Sequence, residues 1–207
     1  MGRWLCAAVV LFGLGCESRT EGPGREKMGT YELTAEVVKL RDGGLDPDYQ
    51  DCLAKNPGMA ELPSESFPFQ FVLTRNPDTN EVFLTLGGVT RTATFDGQFV
   101  ESTFVARREF ATCCVDDEGQ NEGQLEERIR VALLSRSQSV ALGGRCPRDA
   151  LDGGVPGPDA GVTPPGSTGT GFDALRACGE LIDIVRPGDC GKCSVCTLRY
   201  PITGVRR

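Results

Sequence analysis

Residues 67–110 read FPFQFVLTRNPDTNEVFLTLGGVTRTATFDGQFVESTFVARREF, and the alternation inside this stretch decides the fold class. Phe67, Phe69, Phe71 and Leu73 recur at every second position, the period of a strand with one buried face. Asn76-Pro77-Asp78-Thr79-Asn80 then turns the chain, because proline presets φ and asparagine tolerates the left-handed region. Glu81 to Leu86 returns as the hairpin partner, and Val89 to Phe95 forms the next strand. Asp96-Gly97 is a two-residue hairpin signal, since a type I′ turn needs positive φ at both positions, and Gln98 to Phe110 is its long partner.

The same reading extends outward. Thr30 to Leu40 alternates, with Tyr31, Leu33, Ala35 and Val37 on one face. Residues 41–66 form a long loop carrying Cys52. In residues 124–134, Leu125, Ile129 and Leu133 have helical spacing, while Ile129, Val131 and Leu133 alternate as in a strand. Local propensity favours helix there, and the antiparallel meander before it favours strand. We read a strand, with Ser137 to Leu142 as the last one. Six or seven mostly sequential antiparallel strands define a mainly β fold, a barrel or a sandwich.

Residues 150–171 are dominated by Gly, Pro, Thr and Asp and read as a linker or a long exposed loop. Beyond it, residues 172–207 read as a small Cys-rich segment. A short helix over Asp173 to Ile182 is expected there, with Leu175, Leu181 and Ile182 on its apolar side. The β-rich domain is accordingly 30–149.

The N-terminus fixes the setting. Met1-Gly2-Arg3 supplies one positive charge, Trp4 to Leu14 is apolar, and Gly13-Leu14-Gly15 places small residues before Cys16. The apolar run is too short to span about 30 Å of hydrocarbon, so residues 1–15 read as a signal peptide. The stretch resembles a bacterial lipoprotein signal with Cys16 as the lipid acceptor, and the body resembles β-rich lipoproteins of Gram-negative soil bacteria. That resemblance implies acylation of Cys16, a polar tether over 16–29, export, and attachment to a membrane through lipid. Glu17, which is not Asp, tilts the expectation to the outer membrane or cell surface. Cleavage after Gly15 discards Cys6, one of the ten cysteines, and leaves nine, so a plain Cys16 thiol would be odd; acylation of Cys16 leaves an even set downstream.

In an oxidising compartment that set reads as disulfides: Cys52, Cys113, Cys114 and Cys146 before the linker, Cys178, Cys190, Cys193 and Cys196 after it. Adjacent Cys113 and Cys114 are poorly placed to bond each other. The expected pairings are Cys52–Cys113 with Cys114–Cys146, or Cys52–Cys114 with Cys113–Cys146. Cys190-Gly-Lys-Cys193-Ser-Val-Cys196 has two alternative readings. With Cys178 it could make a four-thiolate metal site, or Cys190 and Cys193 could exchange disulfides. Neither the iron–sulfur continuation nor a second separated CxxC pair follows.

Other candidates read as structure first. Residues 116–119 and 42–48 are acidic and could meet calcium through oxygen, but they read as solvated turns. Phe67, Phe69 and Phe71 read as core, with a ligand cavity as the alternative. Asp78 and Asp96 are turn residues.

The chain has 22 basic and 29 acidic residues, a net charge of −7, without a basic cluster, which excludes a nucleic-acid partner. It has no histidine, which removes Ser-His-Asp and Cys-His catalysis and His-containing zinc sites. The expectation is a non-enzymatic, lipid-anchored exported protein without a cofactor. Its partner is a small apolar ligand inside the sheet, or a protein or envelope polymer on its surface. Thiol–disulfide exchange or metal binding at 190–196 is the alternative.

Overall fold

The computed structural model describes residues 24, 26–39, 43–55, 65–109, 122–147, 149–165, 172–186 and 194–207. Cys16, Cys113, Cys114, Cys190 and Cys193, the signal segment and the acidic stretch 116–119 lie outside the described residues.

Eight antiparallel strands close into a barrel in simple sequential order. They are β1 (Glu26–Ala35), β2 (Phe67–Arg75), β3 (Val82–Leu86), β4 (Val89–Phe95), β5 (Phe99–Glu109), β6 (Glu122–Ser135), β7 (Ala174–Arg186) and β8 (Cys196–Arg206). Closure is made by β1 against β8, over Tyr31↔Arg206 to Ala35↔Ile202. The meander of β2 to β5 follows the alternation in 67–110. Its turns use the expected chemistry. Asn80 sits at φ 60°, the Asn76 side chain accepts from Asp78 N at 3.0 Å, and Gly87 and Gly88 both take positive φ between β3 and β4. The Asp96 carboxylate accepts from Gln98 N at 2.9 Å and Phe99 N at 2.7 Å, so Asp96 holds a turn.

Inward positions fill the barrel. Tyr31, Phe71, Leu73, Leu84, Val100, Ile129, Val131, Leu133, Leu198, Tyr200 and Ile202 are all buried in one core. The outer face is polar. Arg130 lies 3.6 Å from Glu101 and 3.7 Å from Glu180, Arg199 pairs with Glu180 at 2.8 Å, and Glu126 meets Arg128 and Arg186. An apolar interior with a charged exterior is the inverse of a barrel that faces lipid. Among the described residues, no helix is long and apolar enough to cross a membrane.

Several expectations are corrected. The segment 172–207 is no separate appendage: it contributes β7 and β8, and β7 pairs with β6 over Gln124↔Arg186 to Ser135↔Ala174. From Ala174 on, the segment expected as a helix is strand, because neighbours on both faces bury it: Leu181 faces the barrel core and Cys178 an outer cluster. Ser137 to Leu142 is not a strand either. The helix α2 (Arg136–Ala141) starts there on a capping box, in which the Ser135 hydroxyl accepts from Gln138 N and the Gln138 side chain accepts from Ser135 N at 3.0 Å. The loop 41–66 contains a second helix, α1 (Pro47–Lys55), capped by the Asp46 carboxylate accepting from Asp48 N at 2.9 Å. The tether shortens, because β1 begins at Glu26, whose carboxylate takes two hydrogen bonds from Arg75 at 3.0 and 2.7 Å, and Met28 is buried in the core.

The start of the stretch read as a linker packs against the sheet. Ala150 and Val155 join Ala132, Leu134, Cys146 and Cys178 in a small apolar cluster on the outside of β6 and β7. Gln138, fully buried, donates to Pro156 O at 2.8 Å and to the Gln98 side chain at 2.7 Å. A disulfide, Cys146–Cys178, staples this layer to β7.

Candidate functional site

The barrel has two unlike ends. At one, the chain between β6 and β7 lays α2 against β6 and β7. At the other, α1 lies against the end of the barrel. The candidate site is at this second end.

Alpha-helix α1 is held by its buried face. Tyr49 and Cys52 point inward, and the Tyr49 ring meets Tyr200 edge-on at 6.4 Å. Cys52 is bonded to Cys196 at the start of β8, with the Cα atoms 5.5 Å apart. Both expected pairings of Cys52 and Cys146 are therefore corrected: each bonds a cysteine from the C-terminal strands, because those strands complete the same barrel. The four-thiolate set is also corrected, since Cys178 and Cys196 are consumed in bonds to Cys146 and Cys52. Among the described residues, no group of three metal-capable side chains assembles.

At the same end of the barrel lies a cavity of about 590 Å³. Its inner lining is Phe67, Phe69, Leu86, Glu127 and Leu181, and Gly87 and Gly88 form part of its rim. Gln70, Val72 and Thr85, on the outer face of β2 and β3, complete it. The reason is the register. β3 pairs with β2 from Phe71↔Leu86 onward, so residues 67–70 run past the Gly87-Gly88 turn with no β3 partner. The notch between them joins the interior to the surface. The phenylalanine stripe thus divides: Phe71 is fully buried core, whereas Phe67 and Phe69 are partly exposed and line the cavity. Phe67 packs against Tyr200 at 5.7 Å and Phe69 at 6.0 Å, which sets the aromatic wall.

A charged row faces the same interior. Arg91 on β4 is 9% exposed, and its Nη2 lies 2.5 Å from Glu127 Oε1 on β6. Its guanidinium sits 4.8 Å from the centre of the Phe104 ring. Glu127 stands opposite Phe104 on one side and Asp183 on the other. Asp183, on β7, is 8% exposed. Burial pushes its carboxyl up to about 7, the facing Glu127 carboxylate pushes the same way, and Arg91 pulls back. Three buried atoms of this row make no hydrogen bond, Arg91 Nε and Nη1 and Asp183 Oδ1, while Glu127 Oε1 is held by Arg91 Nη2. Burial also raises the Tyr31, Tyr49 and Tyr200 phenols, keeping them neutral.

A carboxyl group titrating near 7 beside a second carboxylate has the form of an acid–base pair. Here it sits behind the cavity wall: Glu127 lines the space and Asp183 does not. A second hollow, about 630 Å³, is an open groove on the outer face, lined by polar residues including Glu32, Gln70, Arg176 and Arg207.

Arg91, Glu127 and Asp183 were not singled out from the sequence. Two carried a signal: Arg91 lies between Val89 and Ala93 in alternating register, and Glu127 between Leu125 and Ile129. A charge on the apolar face of a strand marks a buried polar site. Asp78 and Asp96 do what their turns require.

No protein-family profile matches the chain, and no curated protein and no solved structure matches it significantly.

Proposed function

We propose that this is an exported, lipid-anchored binding protein whose barrel takes a small, largely apolar ligand at the α1 end. The observation that carries the reading is the cavity: a space of about 590 Å³ with two phenylalanines and two leucines in its wall and a side notch for entry. Eight-stranded barrels are wide enough either to fill with side chains or to hold one small molecule, and ligand sites are concave, apolar and few. In this reading Cys16 carries the lipid, and the polar outer face keeps the barrel in water beside the membrane. The two disulfides fit an oxidising compartment.

Native mass spectrometry of protein purified from its own cells tests the reading. A small molecule that co-purifies, and leaves when the chain is unfolded, is the expected result. A ligand-free chain that also takes up no apolar probe would refute it. Acylation is tested on the same sample: a mature chain starting at Cys16 without acyl mass removes the anchor.

A further inference from the structure

Resting on that binding reading, we infer that the ligand is a cationic amphiphile: an amine head group that binds beside Glu127 and Asp183, with an apolar tail against Phe67, Phe69, Leu86 and Leu181.

Charges inside an apolar barrel are unfavourable unless every one is compensated, and apolar residues in their place are often neutral or stabilising. Here three strands, β4, β6 and β7, each turn one charged residue inward. Arg91 and Glu127 neutralise each other at 2.5 Å, and Phe104 covers the guanidinium. Asp183 is left over. The groups facing it are Glu127 from β6, Arg91 from β4, and the neutral phenols of Tyr200 on β8 and Tyr49 on α1. With Asp183 ionised, the row carries two negative charges against one positive. Asp183 Oδ1 makes no hydrogen bond and can accept one, whereas Glu127 Oε1 is already held by Arg91; an ammonium group has three donors.

The head group has a route to them. Glu127 lines the cavity directly across the sheet from Asp183, and their Cβ atoms in such a pair are about 5 Å apart. Leu181, on the same face of β7 two residues before Asp183, also lines it. A carboxylate ligand would meet the free Arg91 donors, but it would have to approach two carboxylates of its own sign. A neutral alcohol would leave the charge uncompensated.

The experiment uses the full chain with both disulfides formed. The neutral dye N-phenyl-1-naphthylamine is titrated in, then displaced at constant ionic strength by octylamine, octan-1-ol or octanoate. The amine is charged at both pH 8 and pH 5.5. Octylamine should displace the dye at about tenfold lower concentration than octanol at pH 8, with octanoate the weakest. At pH 5.5, with Asp183 protonated, the preference for amine over alcohol should fall at least about threefold. Asp183→Asn should show the low preference at both pH values.

Dye and octanol that bind while octylamine gains nothing at pH 8 would overturn the cationic ligand and leave the cavity reading standing. An amine preference unchanged in Asp183→Asn would overturn the role of Asp183. Failure of the dye and all three probes, checked by calorimetry, would overturn both readings.

Discussion

Glu127 on β6 and Asp183 on β7 stand directly opposite each other, both turned into the barrel. Burial, reinforced by the facing Glu127 carboxylate, makes Asp183 keep its proton to about pH 7. An unfolded aspartate releases its proton near 4. Between these values the folded chain holds a proton that the unfolded chain has lost. The contribution is therefore fully present below about pH 4, falls as pH rises through the window, and is gone above about 7. Its ceiling is about 4 kcal/mol. Asp183→Asn should remove this slope, measured as the difference from the parent in urea unfolding at pH 4.5, 6 and 8. Taking that difference cancels groups such as Glu126, whose hydrogen bond from Arg128 lowers its carboxyl. A parallel pH profile in the variant would show that Asp183 ionises normally.

The bond from Cys52 to Cys196 joins residues 144 positions apart. A cross-link over that distance removes about 5 kcal/mol of freedom from the unfolded chain in the loop-entropy account. The double substitution Cys52→Ser with Cys196→Ser should lower the midpoint of thermal unfolding by about 10 °C or more. A non-reducing digest should yield one peptide pair joining Cys52 to Cys196 and another joining Cys146 to Cys178. A peptide joining Cys52 to Cys113 or Cys114 would instead restore the pairing expected from chain order.

Gly179 on β7 stands opposite Val131 on β6. A Cβ there would sit 2.0 Å from Arg130 O and 2.8 Å from the Val131 Cα. Gly179→Ala must spread two strands that share twelve paired positions, and the loss should be about 3 kcal/mol. Gly157→Ala is the control, since nothing lies within 4 Å of its Cβ and its φ is −96°. Its effect should stay within about 0.5 kcal/mol. Equal effects in denaturant unfolding would mean that the close approach is absent.

Legibility in the sequence followed the physics of each segment. The meander from Phe67 to Ala106 alternates because one face meets the core and the other meets water, so period two survives in the residues. β7 hides its period because the layer over residues 146–155 buries its outer face as well. Ala177, Cys178, Leu181 and Ile182 are all buried, and that pattern also suits a helix. Both helices had start signals that a reading tuned to strands passes over: Asp46-Pro47 before α1, and Ser135 with Gln138 at α2. The disulfides were misassigned for a topological reason. Once the last two strands complete the barrel, Cys196 reaches α1 and Cys178 reaches the layer over β6, and neither approach is written in local sequence. Of the site, the phenylalanines were visible as a stripe. The charged row needed the pairing of β6 with β7 to bring Glu127 and Asp183 together.

The central claim is that the space at the α1 end of the barrel is a binding cavity rather than a packing gap. Leu86 lines it next to the Gly87-Gly88 turn, and Leu86→Trp would fill much of it from a rim position. Titration of N-phenyl-1-naphthylamine into the full chain and into this variant is the most direct measurement. One saturable site in the parent, weakened about tenfold or more in a variant with the same far-ultraviolet circular dichroism, is the predicted result. Equal uptake by both proteins, or none by the parent, would contradict it.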